Sequence, residues 1–287
     1  MRTVVIGASG LIGYQICYDL GLQGSTILRI GRSSSDCIDF KASIHDTELI
    51  KKILVEYRPT HIINTAWVTD PTRYRDSSLN ERFMYSSIEL GRISIELKIP
   101  FFIGIGSSAE YSTSTKAMEE DSSVPNTKYG HYKLLTFKHL SKMMLGSETK
   151  FLWTRIFQAY GPRENKVRLI PSLINALSND TLFEIHNPNT ILDWITTRDI
   201  SRAILFSIDQ GLVGPIDIGT GNGTSVIDLA NLLHAKIRRG GFKIATSSDS
   251  HNREIRVAST KSTLFDSGWR PNDSLSDGLD WVINFRS

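Results

Sequence analysis

The segment Thr3-Val4-Val5-Ile6-Gly7-Ala8-Ser9-Gly10-Leu11-Ile12-Gly13 passes from a β-rich run into three evenly spaced glycines and then into a helix. Glycines at such a junction permit a tight turn and let the backbone approach a pyrophosphate, which a helix N-terminus attracts. A plain turn is the alternative interpretation. Because the glycines follow the first strand directly, we expect a dinucleotide-binding loop with contacts from Gly7, Ser9, Gly10, Leu11, Ile12 and Gly13.

Short apolar runs alternate with amphipathic stretches over the first two-thirds of the chain. The predicted strands are Thr3–Ile6, Thr26–Ile30, His61–Asn64, Phe101–Ile105 and Phe151–Arg155. The predicted helices are Leu11–Leu20, Thr47–Tyr57, Ser86–Leu97 and Lys128–Met144. Nearly all-apolar strands that alternate with helices indicate a parallel sheet covered on both faces. The expected fold is therefore α/β, a doubly wound parallel (Rossmann) sheet.

After about Tyr160 the alternation of strands and helices becomes less regular, and prolines separate shorter elements. We expect a smaller, mixed α/β substrate-binding region there. The predicted boundaries are 1–160 for the cofactor-binding domain, with a return segment at about 190–212. The substrate-binding region is predicted to comprise 161–189 and 213–287.

Composition narrows the class of protein. The chain has 287 residues and a formal charge of only +3, from 33 basic and 30 acidic residues, which argues against nucleic-acid binding. Cys17 and Cys37 are too few for a disulfide framework and lack metal-site spacing, so no metal is expected. No apolar run reaches the ~20 residues of a membrane span, and the N-terminus leads straight into a strand. We expect a reduced, soluble, cytoplasmic protein with no membrane partner.

The end of the second predicted strand bears on the choice of cofactor. An acidic residue there binds the ribose 2′-hydroxyl of NAD, but this chain has Arg32 followed by Ser33 and Ser34. A guanidinium and hydroxyls suit the 2′-phosphate of NADP, so NADP is favoured and NAD is the alternative; Arg32 as a surface arginine is also compatible. Asp39, with Phe40 beside it, is placed at the adenine amino group or in a turn.

A second pattern suggests acid/base chemistry. Ser107-Ser108-Ala109-Glu110-Tyr111 follows an apolar run, and Tyr129-Gly130-His131-Tyr132-Lys133 comes later in the chain. Tyr129 and Lys133 are four residues apart and share a helix face, whereas Tyr132 lacks that spacing. A lysine ammonium beside a phenol lowers the pKa of the phenol, which suits it to proton transfer.

With these motifs, the chain resembles the extended short-chain dehydrogenase/reductase superfamily. Within it, the chain is similar to the NAD(P)-dependent epimerase/dehydratase family that acts on nucleotide sugars. The matching segments occur in order: Asn64-Thr65-Ala66-Trp67, in the place of the family's small-residue motif, Arg155-Ile156-Phe157-Gln158-Ala159-Tyr160-Gly161-Pro162, Asp193-Trp194-Ile195 through Arg198-Asp199-Ile200, Ile218-Gly219-Thr220-Gly221 and Gly268-Trp269-Arg270-Pro271.

The resemblance implies roles for individual residues. Tyr129 becomes the catalytic acid/base, and Lys133 lowers its pKa and holds the nicotinamide ribose. Ser107 is the catalytic hydroxyl, with Ser108 as the near alternative. The further cofactor contacts are expected at Thr65, Ala66, Trp67, Tyr129, Lys133 and Ile156.

Departures from the family narrow the expected reaction. Dehydrating members have an acidic residue one or two positions after the catalytic hydroxyl, where this chain has Ser108 and Ala109. Members that epimerise C3 and C5 have a cysteine at the position of Ala109. Glu110 comes one residue later, and on an extended segment it faces the opposite way from Ala109. These differences disfavour dehydration and 3,5-epimerisation.

What remains is simple hydride transfer. We expect NAD(P)H-dependent reduction of a nucleotide-linked 4-keto-(6-deoxy) sugar; C4 epimerisation with tightly bound NAD is the alternative, and a non-catalytic cofactor sensor is less favoured. The family's diphosphate-contacting Asn is Gln158 here, and an Arg of the family is Leu192. The expected substrate contacts are Ser108, Gln158, Arg168, Arg198 and Arg256, with Lys166 as a further candidate.

Family members often form dimers through two helices, so a homodimer through Ser86–Leu97 and Lys128–Met144 is expected.

Overall fold

The computed structural model describes residues 1–32, 36–112, 124–246 and 254–285 of the chain. Within these ranges the chain forms two compact units. The larger unit contains the described residues of 1–112, 124–156 and 201–216, and the smaller unit contains those of 157–200 and 217–285. The domain boundaries expected from the sequence stay a prediction.

Strands and helices alternate along the described residues. The strands are β1 Arg2–Ile6, β2 Thr26–Gly31, β3 Phe40–Lys41, β4 His61–Asn64, β5 Phe101–Ser107, β6 Lys150–Ile156, β7 Gln158–Tyr160, β8 Leu182–Ile185, β9 Ile191–Thr196, β10 Gly214–Ile218, β11 Gly223–Ser225, β12 Gly241–Ile244 and β13 Ile255–Arg256. The helices are α1 Leu11–Leu22, α2 Thr47–Tyr57, α3 Leu79–Glu96, α4 Lys128–Met144, α5 Leu169–Ser178, α6 Thr197–Asp209, α7 Val226–Ile237, α8 Thr263–Asp266 and α9 Leu275–Asn284. A short 3₁₀ turn, Ser108–Glu110, follows β5.

A seven-stranded sheet has the order β10-β6-β5-β4-β1-β2-β3. From β6 to β3 every neighbouring pair is parallel. The chain adds β2 and β3 on one side of β1 and then returns to add β4, β5 and β6 on the other. This reversal places a topological switch point between β1 and β4, where ligands bind at the carboxyl ends of the strands in folds of this type. The predicted doubly wound α/β fold is confirmed.

The central strands are buried on both faces, as their apolar sequences predict. Val4, Val5 and Ile6 of β1 are at most 1% exposed, and Phe102 and Ile103 of β5 are fully buried. A strand with two buried faces needs apolar residues at successive positions, and β-branched and aromatic side chains fit this surface. All five predicted strands are present, and β5 and β6 continue to Ser107 and Ile156.

Helices α2 and α4 have the predicted bounds, but α3 begins at Leu79 instead of Ser86. Its first turn, residues 79–82, is mostly polar, which is why the sequence did not reveal where the helix begins. They are anchored by the fully buried Asn80, whose amide donates to the backbone oxygens of Tyr74 and Ser77. Helices α3 and α4 pack against each other within the chain. The homodimer expected through these helices stays a prediction.

The smaller unit is mixed, as predicted. Strand β9 pairs antiparallel with β11 and parallel with β7 and β13, while β8 and β12 form a separate parallel pair. Its core includes Leu173, Leu229, Leu233 and Leu279, which are all fully buried. Across the described part of both units, no helix is both long and apolar enough to cross a membrane.

The glycine turn between β1 and α1 leaves little room for side chains. Gly7 has a φ of +85°, a conformation that glycine adopts without strain. A Cβ at Gly13 would overlap the carbonyl oxygen of Gly7 and lie 2.7 Å from Oγ1 of Thr65. Helix α1 therefore packs so closely against the backbone of Gly7 that the position of Gly13 has no room for a side chain.

We expect Gly13→Ala to destabilise the protein by about 1–3 kcal/mol, because its new methyl group meets backbone that cannot move away. Gly21→Ala, on the same helix, is the control. Nothing lies within 4 Å of a Cβ there, so the exchange stabilises the helix by about 0.4–1 kcal/mol. Urea unfolding of both variants measures the difference. Equal free energies of unfolding for the two variants would contradict the close packing at Gly13.

Candidate functional site

The N-terminus of α1 is suited to a pyrophosphate. Within the described range 1–32, Gly10 caps α1 without a side-chain hydrogen bond, and no acidic residue stands in the first turn. The helix therefore presents backbone N–H groups and its positive dipole end at the carboxyl edge of the sheet. Ser9 belongs to the turn, and Leu11 and Ile12, both half-buried, begin the helix. The backbone geometry thus fits the predicted dinucleotide cofactor.

The end of β4 is fastened to this glycine turn. The Thr65 hydroxyl lies 2.9 Å from the carbonyl oxygen of Ile6 and 3.0 Å from that of Gly7. The backbone N–H of Ala66 donates to the side-chain oxygen of Asn64 at 3.1 Å. The predicted cofactor contacts after β1 and β4 are therefore neighbours.

Trp67 continues this edge toward the predicted catalytic helix. Its indole N–H donates to Oδ1 of Asn80 at 2.8 Å, and the ring is 7% exposed. The Nζ atom of Lys133 lies 3.9 Å from the centroid of the Trp67 ring. The indole is thus placed as a cation–π partner for the predicted catalytic lysine.

Tyr129 and Lys133 lie on one face of α4, as the sequence predicts. The Tyr129 ring packs edge-on against Tyr74, with centroids 4.9 Å apart, and against Trp67 at 6.5 Å. The Lys133 Nζ atom is 5.9 Å from the centroid of the Tyr129 ring. The N-terminus of α4 is fixed by Thr127, whose hydroxyl accepts from the backbone N–H of Gly130.

The Lys133 ammonium is buried almost completely, with 4% of the residue exposed. Burial lowers the pKa of Lys133 to about 7, and the charge of Glu110 acts in the opposite direction. Nζ donates to the carbonyl oxygen of Ile105 at 2.5 Å, which joins α4 to β5. A lysine with this pKa exchanges protons readily near neutral pH.

Ser107 ends β5 and begins the 3₁₀ turn. Its hydroxyl accepts from the backbone N–H of Ala109 at 3.2 Å, while its own N–H donates to Glu110 Oε1 at 2.9 Å. These reciprocal bonds form a capping box. Ser108, the alternative hydroxyl, is 6% exposed. The segment is thus a turn, and the expectation of an extended conformation at Glu110 is wrong because the capping box closes it.

Glu110 points into the core and belongs to a fully buried polar network. Its carboxylate accepts from Nε of Arg155 at 2.9 Å and from the indole N–H of Trp153 at 3.0 Å. Arg155 also donates to the hydroxyl of Tyr111 at 2.9 Å. Neither Glu110 nor Arg155 is more than 2% exposed. Burial raises the pKa of Glu110, and the Arg155 guanidinium counteracts this.

The carboxyl end of β2 carries the residues predicted to choose the cofactor. Arg32 is exposed directly after β2, and Phe40 opens β3 at 39% exposure. Ser33 lies outside the described residues. The Asp39 carboxylate accepts from the backbone N–H and the guanidinium of Arg29, which holds the pKa of Asp39 below its usual value. The sequence allows Asp39 to lie at the adenine amino group or in a turn, and its ion pair with Arg29 favours the turn.

The predicted substrate contacts lie in the smaller unit, except Ser108. Gln158 starts β7, and Arg168 is the N-cap residue of α5. Arg198 donates to Asp273 at 3.0 Å and stacks over Trp281, so its guanidinium has a structural partner. Arg256 in β13 pairs with Glu254, and its buried Nε has no hydrogen-bond partner among the residues that the structure describes. Which of these side chains bind substrate stays a prediction.

Three features of the site were not predicted from the sequence. They are the indole of Trp67 over Lys133, the ring of Tyr74 against Tyr129, and the Glu110–Arg155 pair. The sequence contained a signal for the Glu110–Arg155 pair, because a charged residue at the end of the apolar run Phe151–Ile156 requires a buried partner.

Ile156, expected near the cofactor, pairs with Ser107 at the ends of β6 and β5. Among the described residues, no group of three or more His, Cys, Asp or Glu side chains is placed to hold a metal ion.

Comparison with known sequences identifies relatives of this arrangement. A profile of the NAD dependent epimerase/dehydratase family matches residues 3–219. A dTDP-4-dehydro-6-deoxyglucose reductase of Escherichia coli is 25% identical over 190 residues, which are 63% of this chain and 59% of that protein. The match thus spans about six-tenths of that relative. A UDP-glucose 4-epimerase of Rhizobium meliloti is 22% identical, with 99% of this chain and 96% of the relative covered.

Solved structures show the same fold. A Thermus thermophilus UDP-glucose 4-epimerase, crystallised in complex with NAD, superposes with a TM-score of 0.84 at 17% sequence identity. The superposition covers 99% of this chain and 98% of the epimerase. At this identity the likeness establishes the fold alone.

We expect Glu110→Gln to destabilise the protein by about 3–5 kcal/mol, because it leaves the Arg155 guanidinium buried without a counter-charge. Chemical unfolding measures the free energy. The control is Glu148→Gln, which removes an ion pair with Lys98 in which both side chains are at least 74% exposed. Water replaces that partner, so we expect little change. If the two variants unfold alike, the buried pair does not stabilise the fold as argued.

Proposed function

The chain belongs to the NAD dependent epimerase/dehydratase family, and we propose that it reduces a nucleotide-linked 4-keto-6-deoxy sugar with NADPH. The resemblance inferred from the motifs is thereby confirmed at the level of the family. The substrate, the direction of the reaction and the choice of cofactor are proposals, which rest on the geometry of the site and on the names of similar proteins.

The observation that carries the proposal is the orientation of Glu110. A dehydratase needs a group near the catalytic hydroxyl that removes and returns a proton at an adjacent sugar carbon. Glu110 supplies the carboxylate of the turn Ser107–Tyr111, and it is fully buried against Arg155 and Trp153. The methyl group of Ala109 has no proton to exchange. This arrangement supports a reaction in which one hydride and one proton move.

The proposed chemistry divides between the cofactor and the chain. The nicotinamide supplies the hydride to the ketone carbon when the cofactor is bound. Tyr129 gives its phenolic proton to the ketone oxygen, so that the product is an alcohol and the phenolate remains. Lys133 stabilises this phenolate by its positive charge, and the hydroxyl of Ser107 or Ser108 orients the same oxygen.

Two observations support NADPH and a reductase. Arg32 stands where an NAD site has an acidic residue, and a guanidinium is suited to a 2′-phosphate. In addition, one similar protein is a reductase of dTDP-4-dehydro-6-deoxyglucose. A C4 epimerase with bound NAD is the second candidate, because a UDP-glucose 4-epimerase aligns over 96% of its length.

The reaction is tested with purified protein and nucleotide-linked 4-keto-6-deoxy sugars that differ in their base. We expect a fall in absorbance at the NADPH band that depends on the sugar, with a smaller rate for NADH. The same preparation is incubated with UDP-glucose without added cofactor. Conversion of UDP-glucose to its C4 epimer, together with no oxidation of NADPH, would establish the epimerase instead.

Tyr129→Phe tests the proton donor. We expect kcat to fall by about 10²–10⁴-fold, because the variant lacks the transferable proton, while the Kd for NADPH stays unchanged. Tyr132→Phe, one helical turn away on α4, is the matched control and should retain kcat. A Tyr129→Phe enzyme with normal turnover would remove Tyr129 from the mechanism.

A further inference from the structure

Three basic side chains converge at the carboxyl end of β2. His45 lies in the loop between β3 and α2, and its Nδ1 is 2.8 Å from the hydroxyl of Ser86 on α3. Its ring also packs edge-on against Phe83, with centroids 4.6 Å apart. These contacts hold the imidazole against the first two turns of α3, on the face that also carries Arg82.

Arg82 and Arg32 approach the imidazole from different elements. Arg82 precedes Ser86 by one helical turn, and the Ser86 hydroxyl donates to the Arg82 carbonyl oxygen at 3.1 Å. Arg32 follows the last residue of β2, whose carbonyl oxygen accepts from the N–H of Ala42 in the segment leading to His45. The strand end, the loop and the helix thus bring three basic side chains to one edge of the sheet, where both arginines are near enough for their charges to act on the imidazole.

The charges of this group are not neutralised within the described part of the chain. Neither Arg32 nor Arg82 forms an ion pair with a carboxylate there, and both side chains are exposed. Burial lowers the pKa of His45, and the charges of Arg82 and Arg32 lower it further. Asp46 is the acidic group that acts in the opposite direction, and it already accepts from the N–H of Ser43 at 2.9 Å. Two neighbouring guanidinium groups without counter-charges among the described residues favour the binding of an anion.

We propose that Arg82 and His45, together with Arg32, form a binding site for the 2′-phosphate of NADP, an inference that rests on the proposed use of NADPH. His45 takes up a proton when the phosphate binds. The arginines supply fixed charge and planar donors for the phosphate oxygens. The Ser86 hydroxyl donates to Arg82, so Nδ1 of His45 donates to Ser86 and Nε2 is the nitrogen that accepts the proton. The site thus makes specificity for NADP depend on pH.

The probes are 2′,5′-ADP and 5′-AMP, which differ only in the 2′-phosphate. Calorimetric titration at pH 7 in two buffers of different ionisation enthalpy measures affinity and the protons exchanged. We expect 2′,5′-ADP to bind more tightly than 5′-AMP and to take up protons on binding. Near pH 7 the phosphate, with a second pKa of about 6, is mostly ionised, so its own titration would release protons instead.

Two variants separate the contributions. Arg82→Gln should weaken the binding of 2′,5′-ADP about tenfold or more and leave 5′-AMP unaffected, because one charged hydrogen-bonding partner is lost. His45→Gln should abolish the proton uptake. The control is Arg92→Gln, also on α3, where the guanidinium pairs with Glu89 and Glu96; it should change neither probe. Unchanged 5′-AMP affinity shows that each variant is folded.

The outcomes distinguish this inference from the proposed reaction. If Arg82→Gln binds 2′,5′-ADP like the parent protein, or if proton uptake persists in His45→Gln, the three-residue site is refuted even when NADPH reduces keto-sugars. If both variants behave as expected but no keto-sugar is reduced, the phosphate site stands and the proposed reaction fails. If 2′,5′-ADP and 5′-AMP bind equally to the parent protein, the site is refuted together with the preference for NADP.

Discussion

The carboxylate of Glu110 and the guanidinium of Arg155 meet in the core of the larger unit, where both side chains are at most 2% exposed. Two charges withdrawn from water at this depth cost several kcal/mol each unless every polar atom is satisfied. Trp153 and the N–H of Ser107 provide the other donors to the carboxylate, and Tyr111 accepts from the guanidinium. The pair therefore helps to hold the turn after β5, because the Glu110 carboxylate that bonds to Arg155 also accepts from the backbone N–H of Ser107.

The same pair limits what the turn does chemically. Because the Glu110 carboxylate is buried and bonded to Arg155, the rest of the turn has only hydroxyls and a methyl group to offer to a substrate, which is why we propose a reaction without elimination. Its negative charge still acts at a distance, because Glu110 raises the pKa of the buried Lys133 against the effect of burial. The buried carboxylate thus supports the hydride transfer proposed above, and its charge keeps the lysine beside Tyr129 closer to its charged form.

The fold was predictable because its signals are local. Each central strand is a short apolar run, the glycine turn needs its sequence at consecutive positions, and the spacing of Tyr129 and Lys133 fixes their common face on α4. The start of α3 was not predictable in this way. Its first turn depends on the amide of Asn80, which bonds to the backbone of Tyr74 and to the indole of Trp67. Those partners become neighbours only after the chain has folded.

The electrostatic interactions of the site could not be predicted from the sequence either, because their partners also become neighbours only in the folded chain. Arg155 and Glu110 are 45 residues apart in the sequence, and the indole of Trp67 reaches Lys133 from another element. A residue type states which interactions a side chain can form, but burial and partners decide its pKa. At Lys133, burial favours the neutral amine, whereas Glu110 and the π face of Trp67 favour the ammonium. The pKa of Lys133 is lowered to about 7 because the effect of burial exceeds that of the Glu110 charge.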